Sequence, residues 1–162
     1  IVCDMGCKYG HMSYLLADIA KEVVGIDYDL SAINIANKNY QKNNLTFIPT
    51  EAFSFLKKVN KYFDAVILSH ILEHIDNPED FINQLKNHFK YIYIEVPDFD
   101  KSYFNHYRLK MNNRLIYSDA DHVHEFDRHE LKKLLNECEL IIEEEEYRFG
   151  VQKLWCTSKV SS

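Results

Sequence analysis

Apolar runs of strand length alternate along this chain with stretches whose apolar residues recur at the helical period. That rhythm marks βαβ units, in which helices on both faces bury a mostly parallel sheet. Ile1–Met5, Glu22–Asp27, Leu45–Ile48, Phe63–Ser69 and Tyr91–Val96 read as five strands. Phe63–Ser69 (FDAVILS) is almost continuously apolar, as a strand covered on both faces must be. His11–Ala20 places Met12, Leu15, Leu16 and Ile19 on one helical face, and Leu30–Asn39 turns Ile33, Ile35 and Ala36 inward. Asn77 and Pro78 supply the cap and first turn of a further helix, and Arg128–Cys138 forms another. Leu140–Tyr147 and Leu154–Val160 read as two final strands joined through Gly150. No clean period survives at about 98–122, which marks an insertion on the substrate side. One doubly wound α/β domain spanning 1–162 is expected. Because Ile1 already lies in a strand-like run, an N-terminal segment is expected to be missing.

With 25 acidic against 19 basic residues, the formal net charge of -6 offers no field for drawing in a polyanion, so nucleic acid is not an expected partner. Cys3, Cys7, Cys138 and Cys156 form no CxxC pair and read as buried reduced thiols. No apolar run reaches membrane-spanning length and no signal peptide is visible, so a cytoplasmic protein is expected. Heavy use of Asn, Lys, Ile and Tyr suggests an AT-rich bacterial genome.

The turn Asp4-Met5-Gly6-Cys7-Lys8-Tyr9-Gly10 joins the first strand to the first helix. Glycines there let the backbone approach a ligand, and the helix N-terminus offers unpaired N–H groups. Asp27 closes the second strand 21 positions after Gly6, where doubly wound nucleotide folds keep a ribose-binding carboxylate.

This arrangement resembles the class I S-adenosylmethionine (SAM)-dependent methyltransferases, small-molecule branch, on three segments in the family's order. The first is the turn, where Asp4, Gly6, Cys7 and Gly10 match; the others are FDAVILSHILEHIDNPEDF and DHVHEFDRHELKKLLNECEL. The resemblance implies a Rossmann-like sheet of seven strands, the last antiparallel, and SAM as cofactor. It implies that Asp4 anchors the methionine ammonium and that amides near Gly6, Cys7, Lys8 and Gly10 line the methionine and ribose. Asp27 would accept the ribose hydroxyls, Tyr28 would pack beside the adenine, Glu51 and the Ala52 amide would meet the adenine edge, and Ser69 would touch the methionine tail. Lys8 stands where the family has its middle glycine, so the turn is expected to keep an ordinary backbone conformation there.

The chemistry-bearing histidines fall at His70/His74 and His122/His124. If the chain turns helically after Ser69, His70, Glu73 and His74 share one face. The resemblance to ubiquinone-biosynthesis and small-RNA 2′-O-methyltransferases, which hold a metal with Glu-x-x-Glu-His and a later His two residues before a Phe, implies a divalent-metal set of His70, Glu73, His74 and His124. Without a metal, His74, His70 or His124 would serve the reaction as base or pocket wall. His122 reads as a supporting or loop residue, and His11, His88, His106 and His129 as surface or capping residues. Phe99, Tyr103, Phe104, His106, Tyr107, Arg108, Arg114 and Tyr117 suit a polar, ring-bearing or sugar-like acceptor. O-methylation of a small molecule or glycan precursor is therefore expected. Two alternatives remain. Lys8 allows a SAM-binding module without catalysis, and His70–His74 matches the H-x-x-E-H zinc-peptidase pattern, although a strand ends just before it and Pro78 follows closely.

Overall fold

In the computed structural model, residues 1–59, 62–101, 107, 109–112 and 119–158 are described. Seven strands form one sheet: β1 (Val2–Met5), β2 (Val23–Asp27), β3 (Leu45–Pro49), β4 (Phe63–Ser69), β5 (Phe89–Pro97), β6 (Leu140–Arg148) and β7 (Val151–Ser158). Their order is β3-β2-β1-β4-β5-β7-β6, parallel except that β7 runs antiparallel to both β5 and β6. The helices are α1 (His11–Leu16), α2 (Leu30–Asn39), α3 (Ala52–Lys58), α4 (Pro78–Leu85) and α5 (Arg128–Glu137). The doubly wound expectation holds.

One face of the sheet carries the main core. Val66, Leu68, Ile92, Ile94, Leu154 and Cys156 meet Leu56 of α3, Phe81, Ile82 and Leu85 of α4, and Leu131 and Leu135 of α5. On the other face Phe47 of β3 packs with Ile33 and Ala36 of α2 and Cys7 of the turn. All four cysteines are buried and free. Among the described residues, no helix is long and apolar enough to cross a membrane.

Three elements differ from expectation. Helix α1 stops at Leu16 and presents Ser13 and Ala17 inward, leaving Met12, Leu15 and Ile19 exposed. Small side chains win the inner face because they bring α1 close to β1 and β2. In α2, Ile33 and Ala36 are buried but Ile35 is exposed. Helix α3 was not visible in the sequence; Glu51 caps it, accepting from the Ser54 amide at 3.3 Å. Asn77 caps α4 as expected, and Asp127 caps α5 in a reciprocal box with Glu130. Much of the expected insertion, including Tyr103, Phe104, His106, Arg108, Arg114 and Tyr117, lies outside the described residues.

Candidate functional site

The carboxyl ends of the parallel strands share one edge, where doubly wound sheets bind ligands. On its first side the turn after β1 is bound to β2: the Gly6 and Cys7 amides both donate to the Ile26 carbonyl, at 2.8 and 2.9 Å. A Cβ on Gly6 would come 2.1 Å from the Ile71 side chain, and one on Gly10 would come 2.5 Å from the Phe47 ring. Only hydrogen fits at either place, so both glycines are required for the turn to pack against Ile71 and Phe47.

Lys8 does not keep an ordinary conformation. Its φ is 47°, in the left-handed region, and its amide donates to Asp27 Oδ2 at 2.9 Å. The turn reaches this geometry with a lysine in the glycine position, at a cost on the order of 1 kcal/mol.

Asp27 Oδ1 also accepts the Asp29 amide at 2.9 Å, so two backbone N–H groups fix its carboxylate. Capping of α2 falls instead to Asp29, which accepts from the Ser31 and Ala32 amides. Each Asp27 oxygen keeps a lone pair for a further donor. Thr50 donates its amide to the Asp27 carbonyl at 2.8 Å, which sets Glu51 and Ala52 beside the end of β2. Tyr28 is largely exposed there. Asp4 lies deeper and buried, and its Oδ2 takes the Ser13 hydroxyl at 2.5 Å. Burial pushes its carboxyl up to about 6, against the pull of Ser13, and Asp27 adds to the rise.

On the other side of β1 the histidines gather, in a different grouping from the expected one. The chain does not turn helically after Ser69: His70 takes φ 55°, and a short 3₁₀ turn follows at Leu72–His74. This places the His70 ring between two carboxylates, Nδ1 at 3.1 Å from Glu73 Oε1 and Nε2 at 3.5 Å from Glu95 Oε1. The hydrogen bond to Glu73 raises the imidazole pKa, burial opposes it, and the charges of Glu73 and Glu95 reinforce it. Glu95 also accepts from Ser69 Oγ at 3.2 Å and from the Tyr93 hydroxyl at 2.7 Å.

His74 turns elsewhere, against the His122 ring, with centroids 4.7 Å apart. Glu73, His74 and His122 each offer a ligand atom within 4.8 Å of the others. Glu73 is buried, and its Oε2 has no hydrogen-bond partner among the described residues. One carboxylate and two imidazoles suit a divalent transition metal, and the orphaned oxygen fits such an occupant. The expected set of His70, Glu73, His74 and His124 therefore does not assemble. The amides of Val123 and His124 both donate to the Glu73 carbonyl, and this brings His122 to the cluster. His124 instead stacks on Phe126 and points Nε2 to the Asp76 carbonyl at 3.4 Å. With His70 left-handed and His74 in a 3₁₀ turn, the long helix of a zinc peptidase is absent too.

His122, expected only in a supporting role, joins the cluster with Glu73 and His74, and Glu95 and Ser13 were not singled out in the sequence. Glu95 had a signal, a lone carboxylate near the end of an apolar strand.

A family model described as a methyltransferase domain matches residues 1–145. The mitochondrial ubiquinone biosynthesis O-methyltransferase of Dictyostelium discoideum is 32% identical over 96 residues, covering 52% of this chain and 30% of that protein. The ubiquinone biosynthesis O-methyltransferase of Glaesserella parasuis is 30% identical over 92 residues, 53% of this chain and 39% of that one. The chain thus spans less than half the length of these relatives. Magnesium protoporphyrin IX methyltransferase from Synechocystis, solved with bound SAH (the demethylated cofactor), superposes with TM-score 0.74 at 18% identity, over 98% of this chain and 74% of that one. That likeness shows the fold. The chain belongs to the methyltransferase domain family, and its sheet is that of the SAM-dependent methyltransferases.

Proposed function

We propose that this domain binds SAM across the ends of β1, β2 and β3 and transfers its methyl group to a hydroxyl oxygen of a small molecule or glycan precursor. The glycine turn, the two open lone pairs of Asp27 and the Glu51–Ala52 corner fit the cofactor. When bound, SAM supplies a methyl group that passes from sulfonium sulfur to the attacking oxygen. The kinship with ubiquinone-biosynthesis O-methyltransferases supports a ring hydroxyl as acceptor, and the acidic net charge supports a small acceptor over nucleic acid. Four free buried thiols fit a cytoplasmic setting.

The observation that carries the mechanism is His70 between two carboxylates. Glu73 fixes the ring through Nδ1, so Nε2 is the nitrogen that takes the proton from the acceptor hydroxyl. The resulting imidazolium is stabilised by Glu73 on one side and Glu95 on the other. A module without catalysis has no use for a base held this way. In a second reading, favoured by the orphaned Glu73 oxygen, Glu73, His74 and His122 hold a divalent metal, whose chemistry would lower the pKa of a bound hydroxyl.

The test is SAH formation from SAM with a panel of catechols and sugars, run on the wild-type domain, His70→Gln and His122→Ala, with and without chelator. Turnover lost in His70→Gln and insensitive to chelator supports the base. Turnover lost to chelator and in His122→Ala supports the metal. No SAH from any acceptor in protein that binds SAM would overturn the catalytic reading.

A further inference from the structure

Ser13 is fully buried on α1 and donates its hydroxyl to Asp4, which β1 places beside Gly25 of β2. A Cβ on Gly25 would lie 2.7 Å from Ser13 Oγ and 2.7 Å from the Phe47 ring. The bare Cα of Gly25 is therefore what admits the hydroxyl between helix and sheet. Within the short α1, Ser13 is the buried residue, while Met12 and Leu15 are exposed. A small side chain at this place serves the close approach of α1 to the sheet, but a buried hydroxyl also needs a partner, and Asp4 is that partner.

We propose that Ser13, admitted by Gly25, is a positioning residue of the cofactor site, holding Asp4 turned and charged to receive a cationic amine. The inference rests on the reading of Asp4 as the ligand's ammonium anchor. Burial works against the charge on Asp4, and so does Asp27 at the end of β2. The neighbouring thiols of Cys3 and Cys7 bring no positive charge, and β4 contributes Ile67 alongside. Ser13 is the group that acts in the opposite direction, through its hydroxyl and its backbone. A hydroxyl bonded to a carboxylate favours its charged form and so holds its pKa down.

The experiment is calorimetric titration of SAM into the wild-type domain, Ser13→Ala, Gly25→Ala and Asp4→Asn between about pH 5.5 and 8.5. Ser13→Ala should match the wild type at the alkaline end and bind about threefold more weakly near pH 6.5, its affinity profile displaced upward by about one unit. Gly25→Ala crowds the hydroxyl without removing it and should move the profile the same way; it carries the test if Ser13→Ala does not fold. Superimposable profiles for wild type and both variants, with Asp4→Asn weakened, would overturn the role of Ser13 alone. Wild-type affinity in Asp4→Asn would overturn the reading of Asp4 and the proposal with it.

Discussion

The two ends of the site hold their polar groups by different means. Around β1 and β2 the carboxylates are held by groups near the same strand ends: Asp27 by the amides of Lys8 and Asp29, Asp4 by one hydroxyl. Around β4 and β5 side chains hold side chains, as Glu73 and Glu95 flank His70 while His122 faces His74. Backbone donors cost little to keep in place and tolerate changes in the surrounding residues. A network of imidazoles and carboxylates depends on every member. The β1–β2 end is thus built for constancy, and the β4–β5 end for tuning.

The largest effect should come from the tuned end. His70→Gln should lower the methyl-transfer rate by about 10²–10⁴-fold with little change in SAM affinity. In the wild type, the acidic limb of the rate profile should lie above the ordinary histidine value, because Glu73 and Glu95 raise His70; Glu73→Gln should move that limb down. A limb unmoved in Glu73→Gln would mean that His70 is not the titrating base.

At the other end, Asp27→Ala should weaken SAM by about 10- to 100-fold, the value of hydrogen bonds to a charged group. Equal losses of rate and affinity in both His70→Gln and Asp27→Ala would erase the contrast between the two ends.

Asp4→Asn should act in opposite directions on binding and stability. A carboxyl whose folded pKa is raised favours the fold below its unfolded value near 3.8, and that advantage is lost as pH rises through about 6. Near neutral pH the charged Asp4 therefore costs up to about 3 kcal/mol, and Asp4→Asn should raise the melting temperature by several degrees while weakening SAM. A lower melting temperature would show that the Ser13 bond outweighs the burial. The smallest effect belongs to Lys8→Gly, which should stabilise the turn by about 1 kcal/mol or less, read by denaturant titration.

Much of this was legible beforehand because it depends on local rules. FDAVILS is apolar along almost its whole length, as a strand covered on both faces must be, and Gly6, Gly10 and Asp27 carry the turn's signal in their spacing. Helix α3 was hidden because its seven residues, AFSFLKK, span too few turns to show a period. The left-handed Lys8 escaped because its amide is claimed by Asp27, a contact that spacing does not reveal. His122 and His124 lie two apart, and their exchange of roles follows from two amides donating to the Glu73 carbonyl. A long-range bond of that kind leaves no trace in periodicity.

The segment after β5 is fastened where it leaves the sheet and where it returns. Arg128 forks onto Asp98 at 3.2 and 2.7 Å, Asp100 accepts the Arg128 amide at 2.9 Å, and Gln152 donates to the Phe126 carbonyl at 2.6 Å. A segment whose two ends are already joined loses little by added length, only about 0.6 kcal/mol for each doubling. With its two ends tied to one another in this way, a change in the length of chain between Asp100 and Phe126 costs the sheet little, and β5, β7 and α5 keep their places.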